Sequence, residues 1–248
     1  METSVSTFAL LGLGLAFGFK HATEVDHVVA VSAIVSEHRS VFRSALVGGL
    51  WGAGHTASLV IVGVVVLVFR VTIPAPVAGW LEFGVALMII TLGALAVLRV
   101  LRKRAEVHLH RHSHDGQSHV HIHFHEHQTK HEGIAPPHSH AISRIGFKPL
   151  LVGAMHGLAG SAALTLLMLT QIQSVSLGLL YLAVFGIGST LGMLLMSGLI
   201  GLPFALSAPR ISRLNYGLQA IAGALSIAFG FWYAYEAGIA NNLWGTIL

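Results

Sequence analysis

The chain has 248 residues, of which 54% are hydrophobic and only 10% are charged. Soluble domains carry about 25% charged residues, so this composition excludes an ordinary soluble domain and predicts a membrane protein with several spans. The absence of Cys excludes disulfides, thiolate metal sites and iron–sulfur clusters. The net charge of +4 does not indicate nucleic-acid binding, because the 14 Lys and Arg lie mostly in the predicted connecting loops.

Six apolar stretches reach the ~20 residues that a helix needs to cross hydrocarbon. They predict an all-α fold in which residues 1–101 form a first three-helix membrane repeat, residues 102–146 a loop and residues 147–248 a second three-helix repeat. Basic residues concentrate in the first, third and fifth connections, so we expect a bacterial inner-membrane protein with both termini outside and the long loop in the cytoplasm. The stretches cover roughly residues 5–36, 42–69, 79–101, 147–171, 176–202 and 215–238.

The first stretch contains a polar motif, KHATEVDH at residues 20–27. Ionisable groups at membrane depth are costly and by default indicate function. On an unbroken helix His21, Asp26 and His27 would point in different directions, because successive residues advance by about 100°. We therefore expect the helix to break here, so that imidazoles and freed carbonyls reach one ion. Imidazole suits Ni²⁺, Co²⁺, Zn²⁺ or Cu²⁺, and Glu24 and Asp26 add oxygen ligands or orient the imidazoles. The alternative is a polar network between helices.

The two halves of the chain resemble each other at a nearly constant offset. GFKH at residues 18–21 corresponds to GAMH at 153–156, and WGAGHT at 51–56 corresponds to FGIGST at 185–190. Because each half has an odd number of predicted spans, the halves would insert with opposite orientations. This pattern predicts two inverted repeats with a binding site at their interface, near the middle of the membrane.

Two further histidines lie inside predicted spans, His55 in the second stretch and His156 in the fourth. Either one alone would more often be a hydrogen-bonded residue of the helical core. Their depth in the membrane and their places in the two corresponding segments favour a role along an ion path. We therefore add both residues to the predicted metal site.

The predicted loop holds most of the 17 histidines of the chain. In two tracts His alternates with other residues, so an extended strand would place the imidazoles along one edge. Such tracts are typical of metal chelation and of disorder without metal, the alternative being a solvated linker. The predicted loop chelators are His108, His110, His112, His114, His119, His121, His123, His125 and His127.

The motif at residues 20–27 resembles the His-x4-Asp-His signature of the nickel/cobalt transporter family. His21, Asp26 and His27 stand in the expected positions, whereas Glu24 replaces an aspartate. The Gly-His-Thr segment of the second stretch is also similar to that family. The resemblance implies a permease for Ni²⁺ or Co²⁺ in which the three matching residues act as ligands or selectivity residues.

The second half departs from the typical importers of that family. It has no segment similar to Gly-Phe-Asp-Thr-Ala-Thr-Glu, and residues 156–161 read HGLAGS instead. This half is more similar to the UreH-type urease-accessory relatives of the nickel/cobalt transporters. The His-rich loop resembles that of the nickel/cobalt efflux proteins in the wider LysE-like superfamily. The direction of transport therefore stays open.

These observations predict a membrane transporter rather than an enzyme. Ni²⁺ or Co²⁺ would pass through the His/Asp site as the two repeats rock about it, with no prosthetic group, and Zn²⁺ is a further candidate ion. A first alternative is an accessory protein that hands metal to a nickel metallochaperone or to urease or hydrogenase maturation proteins. A second alternative is an intramembrane metallohydrolase, although the sequence has no His-Glu-x-x-His motif.

Overall fold

The structure, a computed structural model, describes residues 7–71, 73–105, 108–114, 117–123, 146–159, 172, 174–207 and 212–240. Two strands, β1 (His108–His114) and β2 (Gln117–His123), lie between the fourth and fifth helices. The remaining regular elements are helical, which agrees with the predicted class. They are α1 (Thr7–His21), α2 (Val25–Val35), α3 (Val41–Phe69), α4 (Ala75–Ala105), α5 (Lys148–Gly157), α6 (Val175–Ser207), α7 (Ser212–Tyr235) and a π-helical turn at Glu236–Ala240.

Within the described residues four helices are long and apolar enough to cross a membrane, so the chain is an integral membrane protein. They correspond to the second, third, fifth and sixth predicted stretches. Of the fourth stretch the structure describes α5, while residues 160–171 lie outside the described part, and the six-span arrangement stays a prediction. The four spanning segments are Val41–Phe69, Ala75–Arg102, Val175–Ser207 and Leu214–Ile239.

The outward face of α6 shows how these helices meet lipid. Leu191, Leu195 and Leu199 recur every four residues along one side of the helix and are 50%, 52% and 63% exposed. Residues four apart lie on the same face of a helix. A continuous apolar stripe of this kind is stable against hydrocarbon but costly against water.

The first predicted stretch is divided into two helices, as the motif at residues 20–27 predicts. α1 ends at His21 and α2 begins at Val25. Between them the Thr23 hydroxyl donates to the Lys20 carbonyl (2.6 Å), and Glu24 has an extended backbone with φ −64° and ψ 147°. With 15 and 11 residues, the two helices are each shorter than the ~20 residues of a full span. The predicted break is confirmed.

The helix pairs are close because glycines stand where they cross. α3 packs on α6 at the centre, α1 packs on α6, α5 packs on α3, and α4 packs on α7. Gly18 of α1 lies against the backbone of Phe185, and Gly153 of α5 lies against the backbone of Trp51. A Cβ atom at either glycine would collide with a carbonyl oxygen. Small residues at such crossings allow helices to pack tightly in lipid.

Two threonines join α3 to α6 where these helices cross. Thr56 Oγ1 donates to the carbonyl of Gly186 (3.1 Å) and lies 3.0 Å from Thr190 Oγ1. Gly52 and Gly186 leave room for the two threonines, because a Cβ atom at either glycine would meet Thr190 or Thr56. The hydroxyls thus bond across the helix pair, in addition to the packing of small residues.

The two strands form an antiparallel hairpin in the His-rich loop, which is the exception to the all-α prediction. Alternation of His with other residues has the period of a strand and explains why this part of the loop is extended. The chelating role and the disorder predicted for the loop stay predictions, and His125 and His127 lie outside the described residues. In the register of the hairpin, the directly opposed histidines are His108 with His123, His110 with His121, and His112 with His119.

Two glycines of α1 provide a matched test of this packing. Gly18 contacts the backbone of α6, whereas a Cβ atom at Gly12 would meet nothing within 4 Å. We expect Gly18→Ala to lower the free energy of unfolding by about 1–3 kcal/mol, since the added methyl forces α1 away from α6. Gly12→Ala should be neutral or slightly stabilising, because Ala has the higher helix propensity. Thermal unfolding in detergent measures both variants, and equal midpoints would contradict the role assigned to Gly18.

Candidate metal centre

Four imidazoles meet in the interior of the helical bundle. His21 is the last residue of α1, His27 lies in the first turn of α2, His55 lies midway along α3, and His156 lies in the last turn of α5. His55 and His156 are fully buried, and His27 and His21 are 2% and 6% exposed. The structure therefore brings together all four membrane histidines that the sequence singles out.

Three of these imidazoles form a first set of close nitrogen atoms. Nε2 of His21 lies 3.1 Å from Nε2 of His55, and the ligand atoms of His21, His27 and His55 all lie within 4.8 Å of one another. Two nitrogens bound to one ion at about 2.1 Å are roughly 3 Å apart when their bonds meet near a right angle. The His21–His55 separation is that of a hydrogen bond, and it is also short enough for both nitrogens to bind one ion.

The Asp26 carboxylate joins two histidines from different parts of the chain. Its Oδ1 accepts from Nδ1 of His27 (3.0 Å) and from the His27 backbone N–H (2.9 Å), while its Oδ2 accepts from Nε2 of His156 (2.9 Å). Because an ionised carboxylate only accepts hydrogen bonds, it holds the proton on those two ring nitrogens. The lone pairs of these two rings are then at His27 Nε2 and His156 Nδ1. Carboxylates orient metal-binding imidazoles in this way.

Three ring nitrogens of the cluster have unused hydrogen-bonding capacity. His27 Nε2, His55 Nδ1 and His156 Nδ1 are buried without a hydrogen-bond partner among the residues that the structure describes. A buried polar atom left in this state costs about 1–3 kcal/mol. The lone pairs of His27 Nε2 and His156 Nδ1 are ligands for divalent first-row metals, and His55 adds one on whichever of its ring nitrogens is unprotonated, so this donor set fits such an ion.

The two carboxylates of the motif have different surroundings. Glu24 Oε2 pairs with Nδ1 of His21 at 3.0 Å, but its side chain is 45% exposed. Asp26 is 14% exposed and belongs to a second set of close ligand atoms with His27 and His156. Glu24 therefore orients one imidazole from the edge of the site, while Asp26 lies within it. His27 is common to both sets.

Aromatic side chains that the sequence reasoning did not include form walls of the site. The Trp51 ring stacks on His27, with 6.3 Å between ring centroids, and lies 5.7 Å from His156. Phe185 lies 5.6 Å from the His21 ring. A signal for Trp51 was available, because it precedes His55 by four residues and so shares a helix face with it. Trp51 and Phe185 also begin the two corresponding segments WGAGHT and FGIGST.

Comparison with known proteins gives the family. No protein-family model and no solved structure matches the chain. The chain is 38% identical to the urease accessory protein UreH of Bacillus sp. (strain TB-90) over 239 residues, which cover 96% of each protein. The chain belongs to the UreH family. This membership confirms the resemblance to UreH-type relatives of the nickel/cobalt transporters.

A more distant relative of this UreH-family chain comes from a plant. The chain is 25% identical over 206 residues to the chloroplast protein FOR GROWTH AND FERTILITY 1 of Arabidopsis thaliana. The matched region covers 83% of this chain and 53% of the plant protein. The similarity therefore extends over most of this UreH-family chain but only about half of its plant relative.

The hydrogen bonds of Asp26 lead to a prediction about metal affinity. Asp26→Asn keeps the size of the side chain but removes the charge that holds protons on His27 and His156. We expect the affinity for Ni²⁺ to fall by about 10–100-fold, the usual cost of losing a carboxylate that orients imidazole ligands. Equilibrium dialysis of the detergent-solubilised protein against ⁶³Ni measures the change.

Glu24→Gln is the matched control for this experiment. The same chemical change at the exposed edge of the site should reduce the affinity for Ni²⁺ by a smaller factor, because Glu24 pairs with His21 from a side chain that is 45% exposed. Thermal unfolding of both variants checks that each is folded. An Asp26→Asn protein that is folded and binds Ni²⁺ like the parent would show that Asp26 does not prepare the site.

Proposed function

We propose that this protein supplies nickel for urease maturation and that the ion is bound within the membrane by the buried imidazoles. The observation that carries the proposal is the convergence of His21, His27, His55 and His156 from four helices, with Asp26 between two of them. Burying so many ligand groups within a membrane protein is costly, so their presence indicates a function. The name of the UreH relative is the reason for linking the protein to urease. The resemblance to nickel/cobalt transporters is the reason for choosing nickel as the ion.

An accessory role has better support than a general permease. The sequence predicts a Ni²⁺ or Co²⁺ permease first and a delivery protein for urease or hydrogenase maturation as the alternative. The 38% identity to a protein named as a urease accessory factor favours the alternative, and it also favours a non-catalytic role. The two functions are compatible, since a membrane protein can serve urease by moving nickel to the maturation proteins.

The overlapping ligand sets suggest how an ion moves within the site. In the first position Ni²⁺ would bind His21, His27 and His55 in place of the proton that lies between His21 Nε2 and His55 Nε2, and the ring that donated this proton would carry it on Nδ1 instead. In the second position it binds beside Asp26, His27 and His156. Because His27 belongs to both sets, the ion keeps one imidazole ligand while the others exchange, which avoids a fully unliganded ion in the membrane interior.

We also infer that the two halves are inverted repeats. Reciprocal packing supports this inference, since Gly18 lies on Phe185 in the same way as Gly153 lies on Trp51. At the offset between the two halves of the sequence, Gly18 corresponds to Gly153 and Trp51 corresponds to Phe185. Such an arrangement places the imidazoles at the interface of the repeats, where transporters of this architecture bind their substrates. Further reciprocal pairs are Gly54 on Leu150 with Gly188 on Leu15, and Gly93 on Gly223 with Gly230 on Ala86.

The His-rich loop has a place in this function. With the predicted orientation, the hairpin of β1 and β2 lies on the cytoplasmic side, where maturation proteins would collect the metal. The register of the two strands places histidine opposite histidine at three positions. The loop would then receive nickel from the membrane site and hold it for transfer.

Cells provide the decisive test of the membrane site. We expect His27→Ala, expressed at the parental level, to abolish accumulation of ⁶³Ni that depends on this protein and to reduce urease activity at limiting nickel. His27 belongs to both ligand sets, so neither position of the ion survives its removal. Retention of both nickel accumulation and urease activity by this variant would rule out the proposed function.

His38→Ala is the matched control, because it removes an imidazole that belongs to neither set. His38 lies in the α2–α3 connection, where burial and the neighbouring Arg43 lower its pKa below the usual range. The control should retain nickel accumulation and urease activity. Repeating the measurement with excess nickel should restore urease activity to His27→Ala cells if the defect is one of metal supply.

Deletion of residues 106–141 separates the contribution of the loop from that of the membrane site. The deletion starts after α4, which ends at Ala105. If the loop only improves capture and transfer, urease activity should fall at low nickel and return to the parental level at high nickel. If the protein acts only by delivering nickel through the loop, the deletion should abolish its effect. Cells with the deletion variant would then have the same urease activity as cells without the protein at every nickel concentration.

A further inference from the structure

Each half of the chain places one aromatic ring against a histidine of the other half. The Trp51 ring of α3 lies 5.7 Å from the His156 ring, and the Phe185 ring of α6 lies 5.6 Å from the His21 ring. Trp51 and Phe185 occupy corresponding positions in the two halves, and so do His156 and His21. The same contact therefore occurs twice, at nearly the same distance.

A glycine one turn before the histidine sets each of these contacts. Gly153 precedes His156 by three residues and lies against the backbone of Trp51. Residues three apart share a helix face, so the glycine brings α5 close to α3 and the histidine then meets the aromatic ring. In the other half, Gly18 has the same relation to its own histidine and aromatic partner. The ring contacts are thus built into the helix crossings.

Trp51 differs from its counterpart because it covers a second imidazole. Its ring also stacks on His27, with 6.3 Å between the ring centroids and 23° between the ring planes. The second half of the sequence has Ala162 at the position that corresponds to His27. Trp51 therefore has two imidazoles to cover where Phe185 has one, which agrees with the larger ring in the first half.

The described residues leave little room for water around these rings. The cavity beside His27 and Trp51 holds about one water molecule and has an almost entirely apolar lining. Phe185 belongs to a buried apolar cluster that includes Leu59 and Leu182. Close-packed apolar side chains exclude water. On these sides of the site, an ion bound by the imidazoles must therefore give up nearly all of its water.

We propose that Trp51 determines which ions the membrane site accepts, by keeping water away from His27 and His156. This inference rests on the proposed function. With water excluded, an ion has about four or five ligands, most of them imidazole nitrogens. Ni²⁺, Co²⁺ and Zn²⁺ accept imidazole in place of water. Mg²⁺ and Mn²⁺ prefer oxygen ligands, and Mg²⁺ gives up water reluctantly, so the dry site discriminates against both.

Visible absorption of bound Co²⁺ tests this proposal, because Co²⁺ with four or five ligands absorbs much more strongly than Co²⁺ with six. The full-length protein in detergent is loaded with Co²⁺, and the spectrum of the His27→Ala protein is subtracted to remove Co²⁺ held by the His-rich loop. The parent should show strong bands. Trp51→Ala should lose most of this intensity, since water enters the space left by the ring and completes six ligands.

Competition between ions measures the discrimination itself. Ni²⁺ and Mn²⁺ are each titrated against the Co²⁺ difference spectrum, which gives a Kd for each ion. We expect the ratio of the Mn²⁺ Kd to the Ni²⁺ Kd to fall about tenfold in Trp51→Ala, because the apolar surroundings of a metal site control the access of water. A merely structural role of Trp51 would weaken both ions equally and leave the ratio unchanged. Trp51→Phe should show a smaller change in the same direction, and it provides the test if Trp51→Ala does not fold.

Phe204→Ala is the matched control for the loss of a buried aromatic ring. Phe204 is buried on α6, about 28 Å further along the helix than Phe185 at 1.5 Å per residue. Its removal leaves a cavity in the same bundle, so it should lower the stability of the protein as Trp51→Ala does. The Co²⁺ spectrum and the ratio of the two Kd values should stay at their parental values.

The outcomes separate this inference from the proposed function. Weak bands of six-coordinate Co²⁺ in the parent, no difference between the parent and His27→Ala spectra, or a folded Trp51 variant with the parental spectrum and ratio would each overturn the role of Trp51. An equal change in Phe204→Ala would do the same. If the His27→Ala cells lose nickel accumulation and urease activity while one of these results is found, the role of Trp51 alone fails. If those cells keep both activities, the proposed function fails independently of the spectra.

Discussion

The pairing of Asp26 with two imidazoles is the interaction on which the site depends. A carboxylate within a membrane protein needs partners for its charge, and Asp26 finds them in His27, in the backbone N–H of the same residue and in His156. On a continuous helix Asp26 could not face the interior beside His21. The break between α1 and α2 is therefore also needed to bring Asp26 to its histidine partners. The acidic residue also lies in the first turn of α2, where the helix dipole favours negative charge.

Close packing of the helices is the second requirement, because imidazole rings are short and must come from helices whose backbones nearly touch. Gly157, next to His156, is the residue that allows α5 to approach α3. A Cβ atom at this position would collide with Ser58 and the carbonyl of His55. The glycines at the helix crossings therefore also set the distances between the imidazoles of the candidate metal centre. A change at such a crossing should affect metal affinity together with stability.

Much of this organisation follows from local sequence rules. The break at the polar motif was predictable because helical geometry separates His21 from Asp26 and His27, and the inclusion of His55 and His156 was predictable from membrane depth. The pairing of Asp26 with His156 was not, since it joins residues that are 130 positions apart and depends on how α5 packs. The hairpin could have been inferred from the alternating histidines, which have the period of a strand.

The crossed packing restricts how the site can open. α1 of the first half packs on α6 of the second half, and α5 of the second half packs on α3 of the first. Rocking of the two halves as rigid bodies, the motion suggested by the repeat, would have to separate both of these glycine-lined crossings at once.

α2 is placed differently, since it packs mainly on α6, α7 and α4 and has few contacts with α3. A small movement of α2 would change the position of Asp26 and His27 relative to His55 and His156 without disturbing the central pair of helices. Because His27 belongs to both sets of close ligand atoms, a movement of α2 would change both sets together.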